Sequence, residues 1–212
     1  NDFLNKDKLL GSAYDADSEG EEGKYYVYSF DELKDIKQIS EYFEVSPSGN
    51  WENKNILVEK KAPPKEILEK LLGIRKKRKK PFFDGKSQLD LNCLWISSLV
   101  AAHEILPEKK YLNLAEDFFS IIEEKYLKKN IQHSYSKGIV FLEDYAFLIN
   151  SLNDLSDKTM NFKYKNYAKK LCKETFLKFY IKEKDIFQKN QINNNDIFFN
   201  PIDIGDNTIP NG

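Results

Sequence analysis

Apolar side chains recur at helical spacing along the second half of the chain. Leu89 to Leu106 is apolar on nearly every face, which predicts a helix buried between neighbours. Tyr111 to Leu127 places Leu114, Ala115, Phe118, Ile121 and Ile122 on one stripe. Leu142 to Leu155 does the same with Tyr145, Ala146, Ile149 and Leu152, and Phe162 to Ile181 with Tyr164, Tyr167, Ala168, Leu171, Thr175 and Phe179. Short connections, and extended pieces at 131–136 and 185–188, predict antiparallel helical pairs. The first half reads differently. Residues 11–23 are small and acidic, which predicts a loop, and 24–29 (KYYVYS) predict a short strand or extended segment. Ser29 with Glu32 forms a capping box for the helix that follows. A turn-rich stretch covers 46–55, 56–59 is extended, and Pro63-Pro64 open a helix carrying Ile67, Leu68, Leu71 and Leu72. The fold class this predicts is all-α with small β additions.

Composition narrows the function. Thirty-three basic and 34 acidic residues leave a net charge of -1, which argues against a nucleic-acid partner. No apolar run is long enough for a membrane span. Cys93 and Cys172 stand far apart in apolar surroundings and read as reduced core thiols of a cytoplasmic protein. No P-loop, GxGxxG or Ser-His-Asp order is present, and no cofactor or metal is expected. The chain opens on Asn, has Met160 as its one methionine and stops at Gly212, so both ends read as cut.

Individual motifs each have a plain reading beside a functional one. The basic run at 75–80 imitates a nucleic-acid patch, but at a helix end it reads as a solvated, dipole-matched linker. Asp15, Asp17, Glu19 and Gly20 imitate the opening of an EF-hand loop, yet Tyr26 stands where the closing glutamate belongs and Glu22 where an apolar residue belongs. His103 and His133 could form an acid/base pair, but each reads more simply as a helix-end or strand histidine. Glu143 and Asp144 open a helix, where they suit its dipole or supply a carboxylate at the mouth of a helical ring.

Several blocks together resemble one family: SAYDADSEGEEGKYYVYSFDEL at 12–33, YFEVSPSGNWENKNIL at 42–57, KKPFFDGK at 79–86 with Asn92-Cys93-Leu94, FLEDYAFLI at 141–149 and IDIGDNTIPNG at 202–212. In this order they resemble the YyaL-like thioredoxin-domain proteins, the family that includes spermatogenesis-associated protein 20. The resemblance implies a partial (α/α)6 toroid of the six-hairpin glycosidase and N-acylglucosamine 2-epimerase type. Residues 1–212 would be its central part, with a thioredoxin-like domain upstream. The family's W-N-G-L is Leu91-Asn92-Cys93-Leu94 here, so an aromatic and a glycine are lost, and neither histidine falls on a motif position. The polar motif residues that carry over are Asp15, Asp17, Ser18, Glu19, Asp84, Lys86, Asn92, Asp144, Tyr145 and Asp206. Two functions follow from the resemblance. One is a sugar-directed epimerase, isomerase or hydrolase acting on a small carbohydrate, with Asp144 as acid/base, Asp15 or Asp206 as second carboxylate, and Tyr145 and Asn92 orienting hydroxyls. In it Asp17, Glu19, Asp84 and Lys86 would line the substrate pocket. The other is a non-catalytic scaffold that presents the thioredoxin-like domain to a protein client.

Overall fold

A computed structural model describes residues 2–106, 108–128, 130–134 and 139–192. Asp206 and the block at 202–212 lie outside them, as does most of the Asn-rich 191–196 stretch. The chain divides into a hairpin unit, Ala13–Asp84, and a helical unit made of Asn1–Ser12 with Gly85 onward.

In the hairpin unit, β1 (Ala13–Tyr14) pairs antiparallel with β6 (Phe83–Asp84), the two ends of the unit. Strands β2 (Asp17–Ser18) and β3 (Glu21–Glu22) form a tight hairpin. Its two turn residues, Glu19 and Gly20, both have positive φ (56° and 80°), the type I′ geometry that suits twisted strands. The segment that imitates a calcium loop is therefore a two-residue hairpin. Helices α1 (Phe30–Leu33) and α2 (Ile39–Tyr42), strands β4 (Phe43–Glu44) and β5 (Val58–Glu59), and α3 (Lys65–Arg75) complete the unit. The capping box is present, with Ser29 Oγ accepting from Glu32 N–H while Glu32 Oε2 accepts from Ser29 N–H. Tyr28, Leu33, Ile36, Ile39, Phe43, Ile67 and Leu71 form the core, and the Tyr28 hydroxyl donates to the Leu71 carbonyl.

Two expectations fail here, for one shared reason. Residues 24–29 form no strand beyond a single bridge between Tyr28 and Asn55. The carbonyls of Lys24, Tyr25 and Val27 face one guanidinium, that of Arg78, at 3.3, 2.9 and 2.6 Å. Arg78 also pairs with Glu32 at 2.9 Å and lies over the Tyr28 ring. The basic run is thus not uniformly solvated. Its lysines 76, 77, 79 and 80 are exposed, whereas the Arg78 side chain is only 17% exposed and organises the turn above it. A third feature of the unit is Gly49, at φ +73°, where an added Cβ would stand 2.3 Å from the Lys54 carbonyl oxygen. Gly49→Ala is expected to destabilise the unit by about 2 kcal/mol or more, read as a lower urea midpoint at unchanged slope.

The helical unit contains α4 (Leu89–Ile105), α5 (Lys109–Ile122) with a π-helical extension (Glu123–Leu127), α6 (Leu142–Thr159) and α7 (Phe162–Phe179), closed by the hairpin of β7 (Tyr180–Ile181) and β8 (Ile186–Phe187). Helix α4 packs on both α5 and α6, and α6 on α7. The first helices of two successive hairpins therefore lie side by side, and both begin at the same end of the unit. Leu89, Ile96, Ile122, Leu148, Leu152, Leu155 and Leu171 are fully buried between them. The observed class is all-α with small β additions. Among the described residues, no helix is long and apolar enough to cross a membrane.

Two positions depart from the expected pattern. Leu114 is 40% exposed, and with Phe3, Leu10, Trp95 and Phe118 it lines an apolar cleft of about 520 Å³. Cys93 is buried, but Cys172 is exposed. The α7 stripe through Ala168, Leu171 and Thr175 faces the core, and Cys172 follows Leu171 by one residue, about 100° round the helix. Burial pushes the Cys93 thiol well above its ordinary pKa, so it is an inert packing group.

Candidate functional site

The start of α4 and the start of α6 meet on one histidine. Asp90 lies in the first turn of α4 and Asp144 in the first turn of α6, and His133 reaches both from the intervening loop. The Leu89 N–H donates to the His133 carbonyl at 2.8 Å, and the His133 N–H to that of Ile139 at 3.2 Å, so backbone bonds fix the ring's base. Its Nδ1 stands 2.9 Å from Asp144 Oδ1 and 4.0 Å from Asp90 Oδ1. Its Nε2 meets the Gln88 side-chain amide at 2.9 Å, and the Phe141 ring packs edge-on against it. Beyond Gln88, Ser12 Oγ lies 3.1 Å from the amide and 2.8 Å from the Lys86 carbonyl.

Asp144 is wholly buried, and its Oδ2 accepts from the Phe141 N–H at 2.9 Å. It therefore caps its own helix while holding the imidazole. Burial raises its pKa above the ordinary carboxylate value, against the opposing pull of the Phe141 N–H and His133. Stability from such a group is present below the ordinary carboxylate pKa and lost as pH rises through the raised one. Asp90 is 16% exposed; its Oδ1 accepts from the Leu91 N–H, and its Oδ2 has no partner among the described residues. One ligand atom from each of Asp90, His133 and Asp144 lies within 4.8 Å of the others, and these three residues could hold a metal ion.

The other sequence candidates fall elsewhere. Asp15, Asp17 and Glu19 are exposed on or beside the β2–β3 hairpin, where Asp15 accepts from the Asp17 N–H and Glu19 pairs with Lys24 at 3.5 Å. Ser18 is buried and donates to the Lys79 carbonyl. Asp84 is half-buried in β6, and Lys86 is exposed at the start of the helical unit. Asn92 is fully buried: it accepts from the Leu10 N–H and donates to the Gln88 and Leu10 carbonyls, tying the first residues of the chain to α4. Tyr145 turns onto α7, where its hydroxyl meets Lys178 Nζ at 2.5 Å and its ring packs on Phe179. His103 is a helix-end histidine beside the Glu108 carbonyl.

Asp90 and His133 carry the cluster beside Asp144 and were not among the motif residues. Asp90 looks like a dipole-matched first-turn acid, and His133 sits in a polar stretch with no periodicity. The one signal was position: an acid opening each of two apolar helices.

No family profile matches the sequence. The chain is 28% identical over 182 residues to an uncharacterised protein of Caenorhabditis elegans, covering 67% of this chain and 25% of that protein. It thus spans about a quarter of the length of that relative. A cellobiose 2-epimerase from Bacillus thermoamylovorans is similar in structure over 49% of this chain and 29% of its own, with 18% identity and a TM-score of 0.45.

Proposed function

We propose that the helical unit is a segment of an (α/α)6 toroid of the YyaL-like family, acting on a small carbohydrate at the mouth where α4 and α6 begin. The observation that carries this reading is the convergence of Asp90, His133 and Asp144 at the adjoining N-terminal ends of two side-by-side helices. In a helical ring, such ends open onto the central pocket. Asp90, with an uncommitted oxygen, would accept a sugar hydroxyl or move its proton. His133 would stand beside it as the hydrogen-bonding partner, and Asp144 would be a positioning residue because both its oxygens are already engaged. That arrangement favours isomerisation or epimerisation over hydrolysis. A hydrolase needs two carboxylates free to act on opposite sides of one bond, and Asp144 is not free.

The test is a thermal-shift panel of mono- and disaccharides on the native full-length protein and its Asp90→Asn variant. A saturable shift in the wild type that Asp90→Asn abolishes is the expected result. No shift with any sugar, from a protein that melts cooperatively, removes the carbohydrate reading. One observation favours a non-catalytic scaffold instead, one that would present a thioredoxin-like domain to a client: both imidazole nitrogens already have partners inside the protein, as in a purely structural clamp.

A further inference from the structure

We propose that Asp90, His133 and Asp144 bind a divalent transition-metal ion, of the zinc or manganese kind, through His133 Nδ1 and one oxygen from each carboxylate. The inference begins with the ring's proton. The Lys86 carbonyl can only accept, so the Ser12 hydroxyl, 2.8 Å away, donates its single proton there. In the structure Gln88 Oε1 faces Ser12 Oγ at 3.1 Å and Gln88 Nε2 faces His133 Nε2 at 2.9 Å. With the Ser12 proton committed to Lys86, the amide is assigned the reverse way, NH₂ towards Ser12 and carbonyl towards His133 Nε2. With Nε2–H donating to that carbonyl, Nδ1 of the neutral ring is a bare lone pair. It points at a carboxylate oxygen 2.9 Å away. Two acceptors at that distance need a proton or a cation between them.

A metal ion fits that position better than a second ring proton. Asp90 and Asp144 bring two carboxyl groups to a largely enclosed place, and among the described residues neither has a lysine or arginine partner. A divalent ion balances both carboxylates, whereas one proton balances one. Metal–ligand bonds of about 2.0–2.2 Å set neighbouring donors about 3.0–3.5 Å apart. The separations from Nδ1 are 2.9 and 4.0 Å and all three ligand atoms lie within 4.8 Å of one another, so the carboxyl groups must draw in around the ion to meet that spacing. Gln88 then supplies the outer hydrogen bond that metal-bound histidines make through their other nitrogen, itself fixed by Ser12. One imidazole with two carboxylates leaves open coordination positions, which vicinal hydroxyls of a polyol could fill. The inference does not rest on the sugar reading.

The test is made without sugar. Native full-length protein, stripped with a chelator, is titrated with zinc and then manganese by calorimetry, and its metal content as purified is measured by mass spectrometry. One ion per chain is expected, with affinity reduced at least about 100-fold in Asp90→Asn and about 10- to 100-fold in Gln88→Leu, a change outside the coordination sphere. Circular dichroism checks that both variants fold. No stoichiometric ion in the wild type, or binding unchanged in Asp90→Asn, overturns the proposal.

Discussion

Arg78→Ala is expected to destabilise the hairpin unit by about 3 kcal/mol, because one side chain satisfies backbone groups that nothing else reaches. Its guanidinium serves the carbonyls of Lys24, Tyr25 and Val27 and the Glu32 carboxylate together. Each hydrogen bond to a charged group is worth about 1.5–3 kcal/mol, and water entering the gap recovers part of the loss. Arg78→Lys should recover less than half, since an ammonium cannot span four partners in a fork geometry. The same pair gives the unit an acid limb. Burial opposes ionisation of Glu32, but the Ser29 N–H, the Arg78 guanidinium and the Ser29 hydroxyl outweigh it and hold the carboxyl below its ordinary range. Its contribution is therefore present above the ordinary glutamate pKa and lost as pH falls through the lowered one. In Arg78→Ala that loss should move to higher pH. Urea unfolding at several pH values, followed through tryptophan fluorescence, reads both effects.

Asp144→Ala should destabilise the helical unit by about 3–5 kcal/mol, the loss found when one member of a buried pair is removed. It removes the acceptor of the Phe141 N–H and the oxygen that faces His133 Nδ1, and opens a small void at the start of α6. Asp144→Asn keeps the volume, but only one of its two side-chain atoms can still accept, so one of the two contacts changes character, for about 1–2 kcal/mol. A double-mutant cycle with His133→Ala separates the pair from the cap. A coupling of about 2 kcal/mol is expected, and a coupling near zero would mean that the contact is incidental.

Much of the helical unit was legible because its apolar residues repeat at the helical period over three or more turns. The Ser29–Glu32 box was equally legible, being a local motif whose partners lie three residues apart. What escaped depends on distant partners. The aromatic stretch at 24–29 has strand-forming residues, but its carbonyls are drawn to Arg78, more than 50 positions away. Leu114 follows the α5 stripe and still lines an open cleft, since periodicity sets a face but not what covers it. At the candidate site, Asp144 was visible within a recognisable block. Its companions were not, because Asp90 and His133 become chemically unusual only when two helix starts and a loop are brought together.

The activity proposed for the cluster at the mouth of α4 and α6 is proton transfer on a sugar. Its most direct test is proton NMR of candidate sugars incubated with the native full-length protein in D₂O. One sugar should lose a carbon-bound proton signal at a rate set by enzyme concentration, and Asp90→Asn should stop the exchange. A sugar that binds saturably yet keeps every carbon-bound proton, at enzyme concentrations that saturate it, would contradict a proton-moving site and leave a binding module.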